Sequence, residues 1–334
     1  MCNVVTKGYN TINIVTDFPY MPQSYRVELI SPKEKEKLME KIYSSSLYER
    51  KAAIHGTCVK FFTDSHEFKD MWEDNFEPMP DWIRPHARLF AISSKGFKVL
   101  YEPTSKTVII KGCDYYGWIK SIALALVADF MEDFTSEHRR YSVHGSFVDR
   151  GGRGIAMIGP SGSGKTTLTY GLLLEKQYNF VTDDWFFVRF ANSDTLIYSS
   201  EKNSYIRGDL TRSWPQYSKR LNGVKKDNKD RAIVDVRMLL GGERIRSESE
   251  LTATVLLTRD KKLAPLSQLS KSQALSFMMR NDFCNPHQLV RSKMKIEKRK
   301  KFFVDLFSRA PVYLLNTIET PQQSLQRVKE ILER

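Results

Sequence analysis

Residues 155–188, IAMIGPSGSGKTTLTYGLLLEKQYNFVTDDWFFV, constrain this chain more than any other stretch. Gly159, Gly164, Lys165 and Thr166 satisfy the spacing G-x-x-x-x-G-K-[ST] of a phosphate-binding loop, and Gly162 adds a residue free to take positive φ. Ile155 to Ile158 suits a short buried strand, and the residues after Lys165 suit a helix whose first turn is the loop itself. A helix start so placed aims unpaired amides at an anion. The spacing gives Lys165 the β and γ phosphates of a nucleotide and the Thr166 hydroxyl a position on Mg²⁺. Ser161, Ser163 and Thr167 complete the expected phosphate cradle.

The next β-prone run, Tyr178 to Thr182, ends in Asp183-Asp184, 18 positions after Lys165. A strand returning directly from the helix would deliver both carboxylates beside the loop, at the carboxyl end of a parallel sheet. Neighbouring carboxylates near Mg²⁺·ATP can divide two tasks, one holding the metal and the other accepting a proton from an attacking hydroxyl.

His144-Gly145, the loop Gly159 to Thr166 and Asp183-Asp184, in this order and spacing, resemble the HPr kinase/phosphorylase family, whose nucleotide fold is similar to that of phosphoenolpyruvate carboxykinase. Tyr205-Ile-Arg-Gly208 resembles the family's E-I-R-G, with Tyr205 standing where the family has a glutamate near the metal, and Val234-Asp-Val236 with Leu240-Gly-Gly242 resembles a later segment. The likeness spans residues 140–260. It implies an ATP-dependent kinase that moves the γ-phosphoryl group to a hydroxyl, a serine of a protein or peptide above all. It further implies Asp183 as the base, Asp184 with Thr166 on Mg²⁺, His144 as the residue orienting a catalytic carboxylate, and Arg207, with Arg237 as a candidate second, neutralising the transferring group. An RNA or small-metabolite kinase and a nucleotide-dependent switch without transfer are the alternatives.

The expected fold is α/β: a mixed sheet flanked by helices around the phosphate loop, in a kinase domain of residues 86–334, preceded by an α+β segment of residues 1–85. Four scattered cysteines without a C-x-x-C pair exclude a zinc framework and disulfide scaffolding, and together with the absence of a leader pattern point to the cytoplasm. The most apolar stretch, Trp118 to Phe130, is too short to span a bilayer and carries Lys120 and Asp129, so a core helix and no membrane partner are expected. A homo-oligomer is left open. From residue 201 onward there are 28 Lys and Arg against 15 Asp and Glu, an excess equal to the whole chain's net charge of +13. Such an excess suits an anionic acceptor, or else is a solubilising surface.

Along the chain, strands are expected at 12–15 and 25–30, helices at 32–44 and 67–72, and an antiparallel meander over 87–111. A helix over 115–134 and a strand over 141–148 follow. The segment 211–232, where Trp214 and Tyr217 interleave with Arg and Lys, reads as a mobile lid or as a grip for single-stranded nucleic acid. The basic run Arg291 to Lys301 reads as a helix contributing part of a charged patch, and a final strand and helix cover 312–316 and 321–334.

Overall fold

The computed structural model describes residues 25–333, apart from the side chains of residues 135 and 136. The strand expected at 12–15 lies outside the described residues. The fold is mixed α/β and built on two large sheets.

The first sheet joins β1 (Val27–Leu29), β2 (Tyr48–Ile54), β3 (Thr57–Thr63), β4 (Glu77–Pro78), β5 (Ala87–Ile92), β6 (Lys98–Glu102) and β7 (Thr107–Lys111) in the order β1-β6-β7-β5-β3-β2-β4. The run 87–111 is therefore not a meander. β5 pairs β7 in parallel, and β6 lies on the far side of β7, antiparallel to it. β3 pairs β5 in parallel, so hydrogen bonds cross residue 85 and the expected division there does not coincide with a break between sheets. The β2–β3 hairpin has no counterpart among the expected strands. Its two-residue loop, His55-Gly56, has both φ values positive, +47° and +76°, the twist that a tight hairpin demands.

Helices α1 (Pro32–Ile42) and α2 (His66–Asn75) pack on this sheet, each started by a serine that accepts a first-turn amide. Helix α3 (Tyr116–Asp133) runs between the two halves of the molecule and is buried along almost its whole circumference, so its apolarity reflects burial on every side. The short α4 (Thr135–His138) follows.

The second sheet holds β8 (Tyr141–Arg150), β9 (Arg153–Ile158), β10 (Asn179–Thr182), β11 (Trp185–Ala191) and β12 (Asp194–Tyr198), then β15 (Glu248–Thr258), β16 (Leu266–Leu269) and β17 (Val312–Asn316). A small separate ribbon pairs β13 (Asn203–Arg207) with β14 (Arg231–Asp235). β9, β15 and β17 are mutually parallel, and the other pairings are antiparallel. Helices α5 (Lys165–Leu172) and α11 (Pro321–Leu332) pack on one face with the short α6 (Leu210–Ser213), α7 (Ser218–Leu221) and α8 (Val236–Leu240), whereas α9 (Lys271–Arg280) and α10 (Lys293–Arg309) cover the other.

Part of the basic run 291–301 is engaged inside the molecule. Lys295 reaches Asp129 at 3.0 Å and Asp133 at 2.5 Å, Arg299 reaches Glu132 at 2.7 Å, and the Lys298 ammonium donates to the Glu132 carbonyl. These bonds form a buried ionic seam between α10 and α3, joined by Lys106 from the first sheet. Helix α10 thus turns Lys295, Lys298 and Arg299 inward while Lys293 and Lys301 stay exposed, and the run 291–301 is not a docking patch as a whole.

Candidate nucleotide site

Strand β9 ends at Ile158 and the chain turns directly into α5. Gly162 and Gly164 take φ of +79° and +100°, the left-handed conformation that lets the loop fold back on itself. Gly164 caps α5 without a side-chain hydrogen bond, so the helix's first amides face the cleft free of a capping side chain. The buried Ser163 hydroxyl also has no partner among the described residues. From beneath, Thr317 donates to the Ser163 carbonyl at 2.7 Å, and Arg259 donates to Thr317 at 3.2 Å. Lys165 is buried and donates to the carbonyls of Gly159 and Pro160 at 2.6 and 3.2 Å; burial lowers its pKa. These are the carbonyls a phosphate would draw it away from.

The aspartate pair does not reach the loop as the end of a parallel strand. β10 and β11 run one after the other along β8, antiparallel to it, and Asp183-Asp184 is the interruption between them. Gly145 on β8 separates that interruption from the phosphate-loop strand: its amide donates to the Asp184 carbonyl at 2.9 Å while it pairs with Ile158. A Cβ at Gly145 would sit 2.8 Å from the Met157 carbonyl oxygen, so only glycine allows the approach. The neighbouring His144 places Nε2 at 3.1 Å from Asp184 Oδ1 and Nδ1 at 2.7 Å from the Cys284 carbonyl. A carbonyl only accepts, so Nδ1 carries a proton. Three consecutive left-handed residues, Asp282, Phe283 and Cys284 with φ of +49°, +54° and +53°, aim that carbonyl at His144. Such backbone costs roughly 1–2 kcal/mol per non-glycine residue and persists only where its surroundings hold it.

Asp184 and Asp183 sit in opposite electrostatic situations. Burial raises both, but for Asp184 the Lys120 ammonium at 2.6 Å and then His144 outweigh it and hold the carboxyl well below its usual range. Asp183 is pushed up to about 7 by burial and by the Asp184 charge. Two adjacent carboxyls whose environments drive them apart are the usual sign of divided acid–base roles.

A cleft of about 350 Å³ gathers Ser161, Gly162, Gly164, Lys165, Thr166 and Thr167 with His144, Asp183, Asp184 and Arg207 in its walls. Gly159 and Ser163, although in the loop, do not line the cleft. Arg237 is not in the cleft; it faces Asp235 at 3.3 Å and Glu77 at 3.7 Å. Lys120, Tyr205, Asp209, Arg231 and Arg259 also line it. Lys120 was not among the expected site residues, although its sequence carries a signal: a lysine inside a largely apolar, mostly buried helix must find an anion. Trp214 and Tyr217 are buried against α5, donating to the carbonyls of Thr167 at 2.7 Å and Tyr170 at 2.9 Å. They are thus unavailable to stack on bases, and the region bearing them is not a free lid. Its distal end is pinned as well, with the Lys229 ammonium 4.0 Å from the Tyr115 ring centre and 4.6 Å from that of Trp118.

No family profile matches the chain. Among curated proteins, an HPr kinase/phosphorylase of Chlorobium limicola is 34% identical over 84 residues, covering 25% of this chain and 24% of that protein. The HPr kinase/phosphorylase of Chlorobium luteolum is 30% identical over 135 residues, covering 40% and 35%, and that of Lachnoclostridium phytofermentans is 30% identical over 125 residues, covering 36% and 34%. Over these stretches the chain is similar to HPr kinase/phosphorylases. It spans between a quarter and about a third of the length of these relatives. Among solved structures, the Hpr(Ser) kinase/phosphatase from Coxiella burnetii aligns with a TM-score of 0.34 at 14% identity, covering 57% of this chain and 94% of that one. No helix among the described residues is long and apolar enough to cross a membrane.

Proposed function

We propose that this chain is an ATP-dependent kinase that transfers the γ-phosphoryl group to a serine hydroxyl of a protein or peptide. The observation that carries the reading is the pair Asp183 and Asp184, electrostatically distinct and open to the same cleft as Lys165 and Thr166. The uncapped first turn of α5 fits an anionic phosphate chain, and the Thr166 hydroxyl with the Asp184 carboxylate are hard oxygen donors that fit Mg²⁺. Mg²⁺·ATP, when bound, supplies the phosphoryl group and the leaving diphosphate.

The chain's own residues then have separable tasks. Gly162, Gly164, Lys165 and Thr167 bind and orient the phosphates, Thr166 and Asp184 hold the metal, and His144 keeps the Asp184 carboxylate turned toward the cleft. Asp183 takes the proton of the acceptor hydroxyl, and Arg207 offsets charge on the group in transit. The names of the relatives, which specify HPr as a substrate, support a protein acceptor. The burial of Trp214 and Tyr217 weighs against RNA.

The test is incubation with labelled ATP, separately with cell protein and with total RNA. Label in protein is expected; label in RNA, or in neither, rejects the reading. Lys165→Ala is expected to weaken ATP binding by about ten- to a hundredfold, as loss of a hydrogen bond to a charged group costs about 1.5–3 kcal/mol. Calorimetric titration giving wild-type affinity would remove Lys165 from the phosphate site.

Acceptor capture should use exposed cations such as Arg207 at the cleft and Arg212 and Lys219 in the segment that follows it. The acceptor KM is then expected to rise as ionic strength goes from low to physiological, over which the Debye length shrinks from about 30 Å at 0.01 M to about 8 Å. A KM that stays flat across that series counts against electrostatic capture.

A further inference from the structure

Two buried lysines line the cleft, and they are held in different ways. Lys165 rests on two carbonyl oxygens, whereas the Lys120 ammonium lies 2.6 Å from Asp184 Oδ2 and 2.8 Å from Glu201 Oε2. Glu201 is itself buried, steadied by Asn75 at 3.5 Å, and the Tyr205 ring centre lies 5.0 Å from the same ammonium. Side chains at positions 184, 201 and 205 therefore converge on one cationic nitrogen supplied by α3 at the cleft wall. Carboxylate oxygens from two segments, facing each other across the space of one cation, are the donor set that Mg²⁺ and Mn²⁺ select.

We propose that Lys120 is an internal cation occupying a divalent-metal position between Asp184 and Glu201. The site accordingly takes only the metal ion that accompanies the nucleotide. The second clause rests on the kinase reading; the first does not. Lys120 arrives on α3, which packing fixes along its length, so this cation is neither lost nor exchanged when nucleotide leaves. It also keeps Asp184 oriented before any metal arrives, which makes Lys120 a positioning residue.

The test uses Mn²⁺ as the probe, followed by its electron paramagnetic resonance signal, on the full chain without nucleotide. Wild type is expected to bind no stoichiometric Mn²⁺. Lys120→Ala should gain one site at least tenfold tighter than any in wild type, and adding Glu201→Gln should abolish the gain. If Lys120→Ala is unstable, Mn²⁺ should raise its melting temperature by more than it raises that of wild type, because the metal replaces the missing charge. The proposal is overturned if Lys120→Ala shows neither gain, or if nucleotide-free wild type already binds one Mn²⁺ that Glu201→Gln removes. Titrating ATP into the same wild-type sample separates the two claims: failure to bind ATP would sink the kinase reading and leave the Mn²⁺ result standing.

Discussion

Asp183→Asn is expected to lower phosphoryl transfer by about two to four orders of magnitude, the usual contribution of a positioned general base. Mg²⁺·ATP affinity should change little, since Asp184 and the loop remain. The pH profile carries the sharper expectation. Asp183 is pushed up to about 7 and serves only when ionised, so kcat/KM for ATP should fall as pH drops below about 7 and level off above it. Positive charge brought by Mg²⁺ favours the ionised form, so the corresponding limb of kcat should lie lower. Asp183→Asn should lose the limb together with the rate. Wild-type transfer by the variant, or a limb near 7 that survives in it, would move the base elsewhere.

The second large effect is on stability. Arg299→Met should destabilise the fold by about 3–5 kcal/mol, because it strands the buried Glu132 carboxylate without its countercharge. Glu132→Leu combined with Arg299→Met should recover most of that loss, since an apolar pair leaves no charge behind. Glu132 already has its pKa raised by burial, against the pull of Arg299. Without Arg299 the rise is larger. The deficit of the single variant should therefore be greatest at neutral pH, shrink as pH falls, and vanish below the unfolded value of about 4.3, where the carboxyl is protonated in both states. Urea unfolding across that range checks both statements; a single variant within about 1 kcal/mol of wild type at pH 7 would show the pair to be inert.

The strand, loop and helix around Lys165 lie in one contiguous segment and were legible from sequence, whereas the two aspartates were expected beside the loop by a different route, because their approach depends on β8 and Gly145 between them and β9. Lys120 and Glu201 were not legible, because their meeting with Asp184 depends on how α3 and the chain after β12 pack, not on spacing. The same reason hid the inward use of the basic run 291–301, whose partners sit on α3, 166 residues away for Lys298 and the Glu132 carbonyl. The missed β2–β3 hairpin is a different case. Its charges, Glu49, Arg50, Lys51 and Lys60, mask the alternation, yet His55-Gly56 between two runs of β-prone residues was a usable turn signal.

Helix α3 gives the molecule a property that bears on how it can be shortened. Its apolar surface is shared with Trp72 and Phe61 of the first sheet's layer, and Asn75 at the end of α2 steadies Glu201. A fragment beginning at residue 86 would keep the phosphate loop and both aspartates while uncovering α3, opening the β5 edge and freeing Glu201 from its amide partner. Inactivity in such a fragment would then speak of lost support, not of misassigned chemistry. The smallest portable version of this site includes β3 and α2.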